Sequence, residues 1–345
     1  MTKTLTLPVA AIDVGYRTTK FTRGSPEACT SFPSLAARVT QEQGSTLGVD
    51  KLDGVTINVN GNNYFVGPDA QFRSSGRDAL VVMDKFSSSE EYRALTLGAL
   101  HYIANHHVGN QREVAHVEIQ HLVAGLPLNT HKDFHKSLRE SLEGKHEVAG
   151  RTIEVKKATV VMQPQGALVA YNKRNKDITV QGSNSLVLDL GGGTFDWFLC
   201  NGPKPVYDRS GAHPKGMLAC VFHVCDKIKP GLRNDPLMID RVDKAIRSGA
   251  KSVKVAGKDW DLEPHMAGVR AILQECINVM LGSVSNLDVI DQILITGGGG
   301  KLLHEELERM LPKYKHMMQI EADPVFANVR GFHILGLMVA HATRK

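Results

Sequence analysis

Short apolar or β-branched runs broken at glycine recur through the first third of the chain, and they predict strands. Leu7 to Val14 reads as a strand running into Gly15, and the polar, β-branched stretch Thr18 to Thr22 resumes as its hairpin partner. Two more hairpins follow: VTINVNGNNYFVG, with Asn60-Gly61 between alternating runs, and HEVAGRTIEVKKATVVM, which turns at Gly150. Between them the period changes. Tyr92, Leu95, Ala99, Tyr102 and Ile103 recur at helical spacing, and Ser87 and Ser88 each precede a Glu by three residues, so overlapping capping boxes open a buried helix over about 89–106.

The opening pattern recurs in the second half. Leu186 to Leu190 is a short apolar run ending in Gly191-Gly192-Gly193-Thr194, after which Phe195 to Cys200 resumes as strand. Val269, Ile272, Leu273, Cys276, Ile277, Met280 and Leu281 mark an amphipathic helix, followed by a strand at Gln292 to Ile295 and the run Thr296 to Gly300. A helix over about 301–311 comes next, and Ala327 to Thr343 has a last helical pattern, expected to pack back on the first half. No low-complexity tract or solenoid period interrupts this order.

Composition sets the scale. The 345 residues are 42% hydrophobic and 22% charged, an ordinary folded chain of a length at which a single core divides into two domains of roughly 150 residues. Two lobes invite a cleft. The net charge of +5 is spread along the chain, with no dense Lys/Arg stripe, so direct nucleic-acid contact is not expected. Cys29, Cys200, Cys220, Cys225 and Cys276 are odd in number and scattered, against a disulfide framework or a zinc finger and in favour of a reducing cytoplasm. The first residues lack a secretory pattern and no window holds about 18 uninterrupted apolar residues, so neither export nor a membrane partner is expected.

An acidic residue at the end of a buried strand, followed at once by a glycine bend, suits the presentation of backbone N–H groups to phosphate with a carboxylate facing a metal. Asp13-Val14-Gly15 and Asp189-Leu190-Gly191-Gly192-Gly193-Thr194 both have this form. Thr296 to Gly300 lies between a strand and a helix, where missing side chains admit a flat ring or a phosphate. Together, in this order, they describe a nucleotide cleft. The competing motifs fail: there is no GxxxxGK[ST], no GxGxxG after an N-terminal strand, no GxSxG and no HExxH. His106-His107, at a helix end, is given no chemistry.

AIDVGYRTTKF, LVLDLGGGTFDWF and ILITGGGGKLL resemble the phosphate-1, phosphate-2 and adenosine motifs shared by actin, the heat-shock chaperone ATPases and the sugar kinases. VVMQPQGALVAY resembles the segment that connects them. The likeness is nearest to the plasmid-segregation actins of the ParM/StbA type and the related PRTRC-system D proteins, in the DVGYxxTKF opening, Tyr64-Phe65-Val66-Gly67 and the closing Ala327-Asn328-Val329-Arg330-Gly331. It implies an α/β fold: a two-lobed actin-like ATPase, each lobe a ribonuclease-H-like mixed sheet with flanking helices. Residues 1–170 with 328–345 would form lobe I and 171–327 lobe II, with ATP, or GTP in its place, between them.

The resemblance also implies roles. Asp13 and Asp189 would hold Mg²⁺. Gly15, Tyr16 and Arg17 would present backbone to the phosphates, with Lys20 reaching the β/γ-phosphates, while Gly191, Gly192, Gly193 and Thr194 wrap them from the other lobe. Gly216 would approach the nucleotide, and Gly297, Gly298 and Gly299 would line the adenosine. Gln163 or Gln165 would orient the attacking water, and Asp189 would help polarise it. Two departures matter. Tyr16 stands where many relatives have Ser or Thr, so a hydroxyl contact to phosphate is lost. A glutamine where some relatives have Glu can hydrogen-bond water but hardly take its proton, which implies slow hydrolysis. The expected function is a cytoplasmic, self-assembling filament ATPase that segregates plasmid DNA through a separate DNA-binding adaptor. The alternative is a small-molecule kinase on the same fold, although no sugar-kinase signature stands around residues 70–135.

Overall fold

In the computed structural model, residues 3–39, 52–74, 85–109, 111, 113–175 and 182–342 are described. They divide into two compact units, the first of 1–126, 130–162 and 329–345, the second of 127–129 and 163–328.

The first unit opens with β1 (Lys3–Val14), β2 (Thr18–Thr22) and β3 (Cys29–Pro33), each antiparallel to the next. A separate three-stranded sheet follows, of β4 (Ala37–Arg38), β5 (Val55–Val59) and β6 (Asn62–Val66), the last two joined at Asn60-Gly61 as expected. After α1 (Glu90–Val108) come β7 (Val114–Leu126), α2 (Leu128–Leu142), the hairpin β8 (Gly144–Val148) and β9 (Arg151–Val155), and β10 (Ala158–Met162). The large sheet runs β3-β2-β1-β7-β9-β8, with β10 also on β7. Val9 to Val14 and Leu122 to Leu126 are buried without alternation because β1 and β7 pair in parallel at its centre, covered on both faces.

Two local expectations need correction. Ala158–Met162 does not extend the hairpin that turns at Gly150; it crosses to β7 and pairs with it in parallel. Neither Ser87 nor Ser88 caps α1. Phe86–Ser88 winds into a 3₁₀ turn, and Ser89, in extended conformation, accepts the Tyr92 N–H at 3.1 Å.

The second unit begins with α3 (Gln163–Arg174) and repeats the opening of the first. Strands β11 (Asn184–Leu190) and β12 (Phe195–Asn201) form an antiparallel hairpin, extended by β13 (Lys204–Pro205) and β14 (Gly211–His213). Then come α4 (Met217–Ile228), α5 (Pro236–Ser248), the small hairpin β15 (Ser252–Val255) and β16 (Lys258–Asp261), and α6 (Glu263–Val284). β17 (Gln292–Thr296), α7 (Gly300–Met310) and β18 (Met318–Ile320) complete the sheet, in order β13-β12-β11-β17-β18 with β14 on β12. Each unit is thus a mixed sheet in which a hairpin is continued by parallel strands, the α/β fold the resemblance implies.

Helix α8 (Ala327–Ala342) begins in the second unit and continues in the first; Thr343, the expected end, lies outside the described residues. A Cβ on Gly336 would lie 2.5 Å from Val9 Cγ1, so α8 packs directly on β1. Cys200, Cys220, Cys225 and Cys276 are core residues of the second unit, and burial pushes their thiols up to about 11 for the first and about 12 for the others, as suits inert apolar packing.

Candidate functional site

The two hairpins close their bends identically. Gly15 N–H donates to the Thr18 carbonyl at 3.1 Å, and Gly191 N–H to the Thr194 carbonyl at 3.0 Å. Each bend follows a buried aspartate one residue from its strand end, Asp13 at 0% exposure and Asp189 at 5%. Their cross-strand partners differ in sign. Asp13 pairs with Lys20, whose ammonium sits 2.9 Å from Asp13 Oδ2, so the lysine expected to reach phosphate spends its charge on the carboxylate. Asp189 pairs with Asp196, and residues directly opposite across an antiparallel pair share a face.

The glycine elements of the second unit converge on Asp189. Gly216 lies over the bend: a Cβ there would stand 2.6 Å from the Gly191 carbonyl oxygen and 2.7 Å from that of Gly192. The first N–H groups of α4 seize the same oxygens, Met217 N on Gly191 O and Leu218 N on Gly192 O, both at 2.9 Å. Gly297, at φ +86°, would place a Cβ 2.2 Å from Asp189 Oδ1, so only glycine passes there. Gly299 N–H donates to the Leu190 carbonyl at 3.0 Å, and Gly297 N–H to that of Pro324 at 3.1 Å. Gly298 is open by comparison, its Cβ position meeting only Arg247 Nη1 at 3.8 Å.

Thr194 does not present its hydroxyl to open space; it donates to Asp196 Oδ2 at 2.7 Å, while Asp196 Oδ1 accepts the Leu128 N–H at 2.9 Å. Trp197, next along β12, is buried and donates its indole N–H to Ser283 Oγ at 3.0 Å. Asp189 Oδ2 accepts from Asn328 Nδ2 at 2.7 Å, and the Asn328 Oδ1 is buried with no hydrogen-bond partner. Asp196 and Asn328 were missed as site residues. Asp196 is visible in the motif DLGGGTFD itself, as the second acid in register with the first; Asn328 is 139 residues from its partner and carries no local signal.

In the first unit, Tyr16 stacks on Phe86 with ring centroids 4.9 Å apart, a use for the ring that stands where relatives have a hydroxyl. Arg17 accepts the Ser34 N–H on its carbonyl at 3.0 Å. Gln163, buried, opens α3, and Gln165 follows within the same turn, half-buried. Apart from Gln163 and Gln165 on α3, the sequence-derived site residues therefore fall into one group in the first unit, Asp13 to Lys20, and one in the second, Asp189 to Thr194 with Gly216 and Gly297 to Gly299. Among the described residues no group of three or more His, Cys, Asp or Glu side chains is arranged to cage a metal, and His106 and His107 stand edge-on at 5.2 Å as a plain ring pair.

Paired glycine-bent hairpins on mixed sheets define the actin-like class, and two family models agree: "Actin like proteins N terminal domain" matches residues 11–166 and "Archaeal actin homologue MreB-like, C-terminal" matches residues 187–309. The chain belongs to the actin-like proteins. Its fold is that of ParM: it is similar to a ParM of a 15-stranded filament from Clostridium botulinum at TM-score 0.72 and 22% identity, over 96% of this chain and 99% of that one. The apo pSK41 ParM protein is similar at TM-score 0.68 and 20% identity, over 98% and 99% of the two chains. The archaeal actin homologue Ta0583 in complex with ADP is similar at TM-score 0.69 and 20% identity, with the same coverage. No described helix is long and apolar enough to cross a membrane.

Proposed function

We propose that this chain is an ATP-dependent polymerising protein that hydrolyses ATP slowly and moves plasmid DNA through a DNA-binding adaptor. The observation that carries the reading is the convergence of Asp189, the Gly191–Thr194 bend, Gly216, Gly297 and Gly299 on one spot of the second unit, the last three packed too closely for any Cβ, with Gly298 left open beside them. Such a spot can hold phosphate and a flat ring at van der Waals distance from the main chain. The ADP complex of Ta0583 and the ParM filament supply the matching ligand and assembly in proteins of the same fold.

Residue roles follow from the chemistry. Gly192, Gly193 and Thr194 offer backbone donors to the phosphates, as do Tyr16 and Arg17 from the first unit, the N–H groups of Gly191 and Gly15 being spent in closing the bends, and Gly297 to Gly299 flank the base. The acid–acid pairing Asp189/Asp196 favours a cation on this side, while the Lys20 ion pair already offsets Asp13, so Asp189 is the better Mg²⁺ holder. Bound, Mg²⁺ would neutralise phosphate charge; a single carboxylate acting through water suits its preference for retained waters. Gln163 or Gln165 orients the attacking water but does not deprotonate it, which makes turnover slow.

The test is light scattering with negative-stain microscopy of the purified chain given Mg²⁺ with ATP, GTP or a non-hydrolysable analogue. Filaments with a triphosphate, absent with ADP and absent in Asp189→Ala, are the expected outcome. A chain that stays monomeric at high concentration with Mg·ATP, or an Asp189→Ala variant that turns over and assembles undiminished, overturns it.

A further inference from the structure

The first unit contains a cavity of about 470 Å³ that is lined by none of the glycine elements. Its walls are the Asn60 turn, the serines at 87–89 that lead into α1, the first turns of α1 as far as Thr96, and the last turns of α2 at Ser137 and Ser141. Arg93 is the cation on that wall. One of its N–H groups meets the Ser141 carbonyl and another donates to His146 Nδ1 at 3.0 Å, leaving three of the five guanidinium donors without a described acceptor. No described carboxylate forms an ion pair with it. Glu90, one turn earlier, is fully engaged: Oε1 accepts from Asn60 at 3.0 Å, and Oε2 from Asn62 at 2.7 Å and from the Tyr64 hydroxyl at 2.8 Å. Burial alone pushes the Arg93 pKa down, the mark of a charge withdrawn from water with no partner to offset it.

The rest of the wall complements a second feature. Ser137 and Ser141 donate their protons to the Phe134 and Leu138 carbonyls, at 3.1 and 2.8 Å, so their oxygens are left as acceptors. Ser87 Oγ is buried with no hydrogen-bond partner. His146 holds the guanidinium from behind: with Nδ1 accepting from Arg93, its proton is on Nε2, which donates to the Leu142 carbonyl at 2.7 Å. A fixed cation with spare donors, beside hydroxyl oxygens with spare lone pairs, fits a ligand that is anionic at one end and hydroxylated at the other. The volume falls within the roughly 300–1,000 Å³ range of small-molecule sites.

We propose that this cavity binds a small phosphate monoester of a polyol, the phosphate on Arg93 and the ligand hydroxyls on Ser87, Ser137 and Ser141. The site does not depend on the nucleotide reading, but it adjoins the first bend. Tyr92 on the cavity wall meets Phe86 edge-on at 5.4 Å, and Phe86 stacks on Tyr16.

Glycerol 3-phosphate, inorganic phosphate and glycerol are the probes, added at millimolar concentration to the full chain in thermal melting and titration calorimetry. Glycerol 3-phosphate is expected to raise the melting temperature by about 2 °C or more. Glycerol should give no shift, inorganic phosphate a smaller one, and Arg93→Gln should weaken glycerol 3-phosphate at least tenfold. Absence of any shift in the wild type, or a shift that persists in Arg93→Gln, overturns the site. Equal affinity for inorganic phosphate overturns the hydroxyl contacts and with them the ligand class. If Arg93→Gln fails to melt cooperatively, Ser88→Trp, which fills the cavity from an exposed rim position, is read in the same way.

Discussion

Asn328 shows how much a single amide decides. The Asp189 carboxylate fixes its orientation, since only Nδ2 can donate to Oδ2, and this turns Oδ1 into a buried acceptor with nothing to accept. Asn328→Ala removes a hydrogen bond to a buried carboxylate, so the nucleotide-free chain should lose about 1.5–3 kcal/mol in urea unfolding. Asn328→Asp should lose more, because two carboxylates then face each other. His333 makes a second prediction. It is 1% exposed, shares a 2.7 Å hydrogen bond with Thr22, and burial holds its pKa down to about 4, with His107 adding to the effect and Glu27 opposing it. Unfolded, its pKa returns to about 6.5, so between those values the unfolded chain holds a proton that the native one refuses. Stability should therefore fall as the pH drops from about 6.5 to 4, and His333→Gln should make that slope shallower in urea midpoints taken across the interval. Residues in a contiguous motif, Asp189 with its glycines, were legible in the sequence; Asn328 and His333 were not, because their partners are 139 and 311 residues away.

Helix α4 and the Gly191 bend behave as one element. The helix starts by bonding to the bend's carbonyls, and Gly216 is the point of closest approach. Gly216→Ala drives a Cβ into two backbone oxygens that α4 itself holds in place, so the bend or the helix must move. The expected loss is about 1–3 kcal/mol by chemical unfolding, with nucleotide affinity falling alongside. Gly298→Ala, whose Cβ would make only ordinary contact with Arg247 Nη1 at 3.8 Å, is the control for stability alone and should leave the unfolding midpoint nearly unchanged. At this scale hairpins were readable, since turn residues and strand alternation are local signals. The pairing of β10 was not: an antiparallel continuation and a parallel crossover share the same apolar pattern, and only the distant β7 chooses between them. The start of α1 was blurred by three consecutive serines, any of which has the chemistry to cap.

The whole molecule is a duplicated design with one sign reversed. Both units carry the aspartate, the bend and the antiparallel return strand, but the residue opposite the aspartate is Lys20 in one and Asp196 in the other. That asymmetry was present in the letters of the two motifs and became meaningful only through strand register. If hydrolysis is slow, assembly and turnover separate in time. Scattering with Mg·ATP should appear above a threshold protein concentration and decay as phosphate is released, whereas a non-hydrolysable analogue should hold it at a plateau. Simultaneous recording of scattering and phosphate release checks this.

Only two tryptophans occur in the chain, and they differ in access: Trp260 is 39% exposed and Trp197, beside Asp196, is 4% exposed. Iodide in the buffer should therefore silence the first and spare the second. What emission is left comes from the indole that β12 lodges against Ser283 of α6, on the face of the strand away from the paired acids, so the unlabelled protein carries its own optical gauge of how that helix stays seated on the sheet.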